Sequence, residues 1–256
     1  MFSKTLLLVA AAVALVPVFA AGIRSQAAAP AAAAATKPAT APATAPGANR
    51  FEPNVVAYEA ADKATPPPRN AILLAGDSQF FRWKTVNEDL HGYTIINRGI
   101  DSFQTSDLLH YVDRLVIPYK ARLILLHVGG NDVHTGKTTE QVLADTKALI
   151  AKIRAAQPDV PIIYYSTTPG PARFDEADKR KATNKVLQDW VATEKNMTFI
   201  NLWDPMLTSD GKPREDIWVE DRIHPNHEGY LIRVKLTLPY LGAPDHPELA
   251  TRPAAK

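Results

Sequence analysis

The chain has no cysteine among its 256 residues. This absence excludes disulfide bonds, a thiolate nucleophile, a cysteine-ligated zinc site and lipid attachment through cysteine. A large excess of charge of one sign is also lacking, since 29 Lys and Arg residues face 27 Asp and Glu residues and the formal net charge is +2. No basic run is dense enough to follow a phosphate backbone, so nucleic acid is not expected as a partner.

The N-terminal segment predicts export. Lys4 precedes an uncharged apolar run from Thr5 to Ile23, and Val18-Phe19-Ala20 places small residues where a signal peptidase reads them. We predict that residues 1–23 are a signal peptide and that the protein is periplasmic or secreted. The alternative is an uncleaved anchor that tethers the chain to the membrane through residues 5–23, because the run approaches the ~20 apolar residues that span a bilayer.

The rest of the chain divides into a linker, one domain and a tail. Ala27 to Asn49 consists almost wholly of Ala, Pro, Thr and Gly. Such a composition has little to bury, so residues 24–50 are predicted to be a disordered linker. Residues 51–245 have room for one α/β domain of ordinary size, and residues 246–256 are predicted to be a flexible tail. The sequence does not indicate an oligomeric state.

Short β-rich runs alternate with helical patterns from Asn70 onward. This alternation is typical of βαβ units, which build a parallel sheet buried on both faces. The five predicted strands are Ala71–Leu74, Thr94–Asn97, Leu123–His127, Ile162–Ser166 and Thr198–Asn201. The predicted helices are Ser106–Leu115, Thr139–Gln157, Ala177–Lys195 and Asn226–Pro239. The fold class is therefore α/β, and ligands are expected beyond the carboxyl ends of the strands.

A candidate nucleophile follows the first strand. Gly76-Asp77-Ser78 places Ser78 at a strand-to-loop turn, where its hydroxyl can face solvent. The competing interpretation is that Asp77 and Ser78 cap the next helix, a position that both residue types favour. The tripeptide alone does not decide between the two.

A candidate base lies near the other end of the domain. Asp221 precedes His224 by three residues, close enough in a turn for the carboxylate to bond Nδ1–H and leave Nε2 free as a base. A metal site is the alternative interpretation of His224-Pro225-Asn226-His227, but the sequence indicates no third ligand. A general base is the better interpretation.

Two loops offer donors for the oxyanion of an acyl-transfer intermediate. Gly99 follows the second strand, and its missing Cβ would let the backbone N–H approach a substrate. Asn131 follows the third strand in Gly129-Gly130-Asn131-Asp132 and offers an amide NH₂. A left-handed turn at Gly99 and a locally capped turn at Asn131 are the alternatives.

Together these segments resemble, in order and spacing, the four marker blocks of the SGNH, or GDSL-type, hydrolase family. The resemblance covers about Asn70 to Leu241 and implies a three-layer α/β/α sandwich like flavodoxin. It implies Ser78 as nucleophile, His224 as acid and base, and Asp221 as its orienting partner. It also implies an oxyanion hole made of the Ser78 N–H, the Gly99 N–H and the Asn131 side chain. No metal or cofactor is required.

Residues near these blocks are candidates for the mouth of the site. Gln79 stands where the family often has Ile, and Gln79, Arg82 and Trp83 follow the nucleophile closely enough to line a pocket, although Trp83 could equally pack in the core. Trp218 and His134 also fall near the expected mouth, with packing the favoured role for Trp218.

The predicted function is hydrolysis of acyl esters, of short-chain or lysophospholipid type, by a serine esterase. The alternatives on the same site are a carbohydrate O-acetyl esterase or an O-acetyltransferase. A third alternative is a non-catalytic binding module that retained the fold. The substrate is thus expected to be a small-molecule, lipid or carbohydrate ester.

Overall fold

A computed structural model describes residues 48–247 of the chain. The predicted signal or anchor segment, most of the predicted linker and most of the predicted tail lie outside the described residues. Within the described part, no helix combines the length and apolar character needed to cross a bilayer. Ala48–Phe51 forms a 3-10 helix, so the last three residues of the predicted linker belong to a regular element.

Five parallel strands form the centre of the fold and confirm the predicted fold class. They are β1 (Ile72–Gly76), β2 (Ile95–Gly99), β3 (Leu123–His127), β4 (Ile162–Tyr165) and β5 (Met197–Ile200). Their order in the sheet is β2-β1-β3-β4-β5, which is the flavodoxin-like order. Each predicted strand lies within two residues of the observed one.

Helices surround this sheet. They are α1 (Glu52–Ala64), α2 (Ser78–Phe81), α3 (Val86–Asp89), α4 (Thr105–Leu115), α5 (Gly130–His134), α6 (Thr139–Ala156), α7 (Ala177–Val191) and α8 (His227–Thr237). Further 3-10 helices lie at Ile117–Tyr119, Pro171–Glu176, Asp204–Met206 and Leu238–Tyr240. The four predicted helices are confirmed as α4, α6, α7 and α8. The predicted end of α7 at Lys195 is four residues too late. The helix ends at Val191, and the N–H groups of Thr193 and Glu194 donate to carbonyl oxygens three residues back, as in turns.

Both faces of the sheet are buried, since alternate residues of a strand point to opposite sides. On one face Leu73 and Leu126 pack in a cluster that includes residues of α1, α4, α6 and α7. On the other face Leu74 and Leu125 pack in a cluster that includes residues of α2, α3 and α8. All four leucines are fully buried, and each stabilises the fold by roughly 2 kcal/mol. The result is the three-layer α/β/α sandwich.

The sequence did not predict α1. Val55 of this helix is fully buried, and the Tyr58 hydroxyl donates to the Gly99 carbonyl oxygen at 2.6 Å. Two of its glutamates pair with Arg114 of α4. The helix escaped prediction because Val55 alone of its thirteen residues is buried, which leaves little apolar periodicity to detect.

Strand register brings the candidate residues to one edge of the sheet. Gly76 at the end of β1 lies opposite Gly99 at the end of β2 and His127 at the end of β3. Segments that follow these strands therefore meet beyond the same edge. Ser78 follows β1, Asn131 follows β3, and both line one small cavity there.

Candidate active site

Close backbone packing and a helix cap fix the turn that carries Ser78. A Cβ at Gly76 would lie 2.1 Å from the His127 carbonyl oxygen, so glycine is required where β1 passes β3. The Asp77 N–H donates to that oxygen at 2.9 Å. The Asp77 side chain caps α2, because its Oδ1 accepts the Gln79 N–H at 2.9 Å. Capping thus occupies the Asp77 side chain and leaves the Ser78 hydroxyl for another partner.

That partner is His224, from the far end of the domain. Ser78 Oγ lies 2.8 Å from His224 Nε2, and His224 Nδ1 lies 2.6 Å from Asp221 Oδ2. Because the carboxylate accepts Nδ1–H, the neutral ring has a lone pair at Nε2 and accepts the serine hydroxyl. Ser78 and His224 are both buried. A hydroxyl, a base and an orienting carboxylate are therefore aligned as nucleophilic catalysis requires.

Hydrogen bonds keep Asp221 ionised. Burial raises the pKa of its carboxyl, but bonds from the His224 N–H, the His224 ring and the Ile223 N–H outweigh burial and hold the pKa at about 2. Arg82 is a further donor, with Nη1 at 3.2 Å from Asp221 Oδ2. The turn between the carboxylate and the imidazole is tight, since Arg222 adopts a left-handed φ of 54°. Asp221 therefore carries its charge at neutral and mildly acidic pH.

A comparison with known families shows which proteins share this arrangement. The model of the GDSL-like lipase/acylhydrolase family matches residues 67–232, which is more than half of the chain. The chain belongs to the GDSL-like lipase/acylhydrolase family. It is an esterase-type hydrolase, as the marker blocks predicted. No curated protein matches the chain.

Solved structures with a similar fold include a GDSL-like lipase and proteins of other descriptions. A Streptococcus pneumonia protein provisionally described as a platelet activating factor is 22% identical, with a TM-score of 0.68 over 75% of this chain and 93% of that chain. A GDSL-like lipase from Bacteroides thetaiotaomicron is 20% identical, with a TM-score of 0.65 over 73% and 96%. A carbohydrate esterase family 3 structure from Talaromyces cellulolyticus is 16% identical, with a TM-score of 0.55 over 67% and 95%. At identities of 16 to 22%, the structural similarity shows a shared fold.

A GDSL hydrolase also needs donors for the oxyanion, and two of the three predicted donors lie at the cavity. The Ser78 N–H is the first in α2 and has no acceptor among the residues that the structure describes. Asn131 lines the cavity with Ser78. One hydrogen of Asn131 Nδ2 donates to the Phe103 carbonyl oxygen at 3.0 Å, which leaves the second hydrogen for a substrate.

Gly99, the third predicted donor, has a packing role in the structure. Its N–H donates to Asn97 Oδ1 at 2.9 Å, and the residue is not among those that line the cavity. A Cβ at Gly99 would lie 2.3 Å from Phe81 N and 2.8 Å from the Phe80 carbonyl carbon. Close packing of β2 against α2 therefore requires a glycine at this position. Its use as an oxyanion donor would require the bond to Asn97 to break.

A buried pair next to the Ser78 turn was not predicted from the sequence. His127 Nδ1 lies 3.0 Å from Asp77 Oδ1, and both side chains are almost fully buried. Burial lowers the pKa of His127 and outweighs the opposite influence of Asp77. The ring is therefore neutral and donates Nδ1–H to the carboxylate, which braces the Ser78 turn against β3. A polar residue at the end of the apolar run Leu123–His127 was the signal that could have revealed it.

Gln79 bridges the Ser78 turn to the loop that carries His224. Arg233 of α8 is fully buried, with its guanidinium 5.3 to 5.7 Å from the centroids of four aromatic rings. Arg233 Nη2 donates to Gln79 Oε1 at 3.1 Å, and Gln79 Nε2 donates to the Ile223 carbonyl oxygen at 3.2 Å. Gln79, which stands where the family often has Ile, thus connects the Ser78 turn to the loop that carries His224.

Other residues expected at the mouth pack or pair elsewhere. Trp83 is buried and donates Nε1–H to Asp89 at 2.7 Å. Trp218 is buried and donates to a backbone carbonyl, which agrees with its favoured packing role. His134 pairs with Glu176. Within residues 48–247, no group of three or more His, Asp or Glu side chains is placed to hold a metal ion.

Proposed function

We propose that the protein hydrolyses acyl esters through a covalent acyl-enzyme on Ser78. The 2.8 Å contact between Ser78 Oγ and His224 Nε2 carries this proposal. His224 takes the hydroxyl proton as Ser78 attacks the ester carbonyl, and it then protonates the leaving alcohol. In the second half of the reaction His224 activates a water molecule, which hydrolyses the acyl-enzyme, releases the acid and restores Ser78. Asp221 orients the imidazole, while the Ser78 N–H and the Asn131 amide stabilise the oxyanion.

Replacement of the nucleophile tests this mechanism. Ser78→Ala should abolish hydrolysis of p-nitrophenyl acetate, because the oxygen that forms the acyl-enzyme is gone. The circular dichroism spectrum should stay that of the wild type, since the hydroxyl's hydrogen bond is to the His224 side chain alone among the described residues. A Ser78→Ala variant with undiminished turnover would reject the mechanism.

The acyl group is proposed to be short. The cavity beside Ser78 has a volume of about 20 Å³, which is space for roughly one water-sized group. Most of the residues that line it have polar side chains, although polar and apolar atoms share its surface about equally; they are Asp77, Ser78, Gln79, His127, Gly130, Asn131, Thr167, Thr168, Gly170, Arg173, Arg180 and Ile223. An acetyl methyl suits this space better than a long acyl chain, which needs an extended apolar surface. Short-chain esters are therefore favoured over lysophospholipid-type esters.

The same small cavity favours a second candidate, a carbohydrate O-acetyl esterase or O-acetyltransferase. Solved structures of the same fold include an acetyl esterase and a carbohydrate esterase family 3 protein. Acetyl, butyryl, long-chain and acetylated-sugar esters assayed on the purified domain separate these substrates. The proposal of a short acyl group predicts that kcat/KM falls from acetyl to longer chains, and the opposite order would refute it. Acetyl transfer that replaces hydrolysis when sugar is added would identify a transferase.

Export is proposed on the basis of the N-terminal sequence. The apolar run from Thr5 to Ile23 and the small residues up to Ala20 support a cleaved signal peptide. N-terminal sequencing of the mature protein should then find a chain that begins shortly after Ala20, in the periplasmic or secreted fraction. An intact N-terminus in the membrane fraction would support the anchor, and recovery of the uncleaved chain in the cytoplasm would contradict export.

A further inference from the structure

Arg173 touches the Asn131 amide group, although no motif in the sequence drew attention to it. Its Nη1 donates to Asn131 Oδ1 at 3.2 Å, across 42 positions of the chain. Arg173 is half-buried and lines the same cavity as Ser78. Among the described residues no carboxylate forms an ion pair with it, whereas neighbouring Arg180 pairs with Glu176 at 2.6 Å. Arg173 thus brings an unpaired positive charge to the oxyanion side of the cavity.

The contacts of Asn131 fix the direction in which its amide group points. A guanidinium only donates hydrogen bonds, and a carbonyl oxygen only accepts them. The amide must therefore present Oδ1 to Arg173 and Nδ2 to the Phe103 carbonyl oxygen, which lies 3.0 Å away. If the amide turned over, donor would face donor and acceptor would face acceptor, and both bonds would be lost. Without Arg173, one of the two restraints on this orientation disappears.

Charge adds to the effect of orientation. Burial, followed by the charge of Arg180, lowers the pKa of Arg173, but an arginine side chain in a protein stays protonated. A cation bonded to Oδ1 polarises the Asn131 amide and makes its remaining N–H a stronger donor. This donor gains most when the substrate oxygen becomes negative, so the benefit is larger in the transition state than in the bound ester.

We propose that Arg173 is a positioning residue for ester hydrolysis, which holds and polarises the Asn131 amide so that its free N–H meets the oxyanion. Arg173 acts through Asn131 and does not itself bind the reacting atoms. This inference rests on the proposed function, because it requires an oxyanion to form at the carbonyl attacked by Ser78.

A double-mutant cycle on p-nitrophenyl acetate tests the inference. Arg173→Met removes the donor and the charge but keeps an unbranched side chain, and it should lower kcat about tenfold with KM changed less than about twofold. Asn131→Ala should lower kcat by about 10²-fold or more, as loss of an oxyanion donor does. In the Asn131→Ala background, Arg173→Met should change kcat by less than about twofold, because the residue through which it acts is absent.

Two further variants separate this role from a structural one. Arg173→Lys keeps a charged donor and should recover kcat to within about threefold of the wild type. Lys179→Met removes a nearby exposed charge and should leave kcat unchanged. If Arg173→Met does not fold, Arg173→Gln takes its place in the cycle as a neutral donor, with a smaller expected loss that again vanishes without Asn131.

The outcomes for the inference and for the proposed function are distinct. An equal loss from Arg173→Met with and without Asn131, or no loss in either background, overturns the role of Arg173 and leaves ester hydrolysis standing. Wild-type protein without turnover, or Ser78→Ala protein that retains it, refutes the proposed function instead.

Discussion

Replacing Asp221 with Asn should destabilise the folded domain at neutral pH and have less effect in acid. In the folded protein the pKa of Asp221 is about 2, against an ordinary value of 3.8. A gap of nearly two in pKa corresponds to about 2.5 kcal/mol of stability. The Asp221 side chain is 34% exposed, so solvent screens its contacts and the expected loss at pH 7 is about 1–2 kcal/mol.

The pH dependence follows from the sign of this difference. Because the pKa is lower in the folded state, the stabilisation is complete above about pH 4, where the unfolded carboxyl is ionised. It is lost as the pH falls through about 2, where the folded carboxyl takes up its proton. The difference in the free energy of unfolding between wild type and Asp221→Asn should therefore be constant around neutral pH and shrink below about pH 4.

Urea unfolding followed by the fluorescence of the four tryptophans measures this difference. Asp178→Asn is the matched control, because the Asp178 carboxylate has no hydrogen-bond or ion-pair partner among the described residues and lies exposed on α7. Its replacement should lower the free energy of unfolding by only about 0.3–0.5 kcal/mol, because the charge lies in the first turn of α7 and interacts with the helix dipole. A variant Asp221→Asn as stable as the wild type at pH 7, or a difference that stays the same down to pH values of about 3, would refute the reasoning.

Three further predictions concern the base His224, the close packing at Gly76 and the contact of α1 with β2. Esterase kcat/KM should fall in acid, because a protonated His224 cannot accept the proton of Ser78. Asp221 stays ionised to about pH 2 and does not contribute to this fall. A constant kcat/KM from mildly acidic to neutral pH would contradict the assignment of His224 as the base. Gly76→Ala should lower the free energy of unfolding in urea by about 1–3 kcal/mol, because the added Cβ would meet a carbonyl oxygen at 2.1 Å; an unchanged midpoint would argue against the packing of β1 on β3. Tyr58→Phe removes the 2.6 Å bond to the Gly99 carbonyl and should destabilise by about 1 kcal/mol, whereas no change would show that α1 contributes nothing at this contact.

Local patterns in the sequence were sufficient to predict the sheet. Each strand is a short apolar run followed by a turn residue. The apolar pattern of a strand and the residues that end it are both local features of the sequence, so a short window is enough to detect them. The candidate pair Ser78 and His224 was predicted from motifs, and the fold then places them 2.8 Å apart. This meeting was implied by the resemblance to the GDSL family, because Ser78 directly follows β1 whereas His224 lies 24 positions beyond the end of β5.

Contacts between distant segments could not be predicted in the same way. Arg173 meets Asn131 across 42 positions, and Arg233 meets Gln79 across 154. A single arginine belongs to no periodic pattern or motif from which its contact partner could be predicted, so such contacts can be identified only in the folded structure. The packing role of Gly99 was not predicted for a related reason, since a missing Cβ serves close packing and substrate approach equally well until the neighbours are known.

Covalent labelling of Ser78 is the most direct test of the central claim that this hydroxyl is an activated nucleophile. A fluorophosphonate probe should add one label to the wild-type protein, and peptide mapping should locate it on Ser78, because His224 withdraws the hydroxyl proton. Ser78→Ala protein should take up no label, and His224→Ala protein should react far more slowly. Labelling at another residue, or equal labelling rates with and without His224, would contradict the account, as would a wild-type protein that does not react while it remains folded.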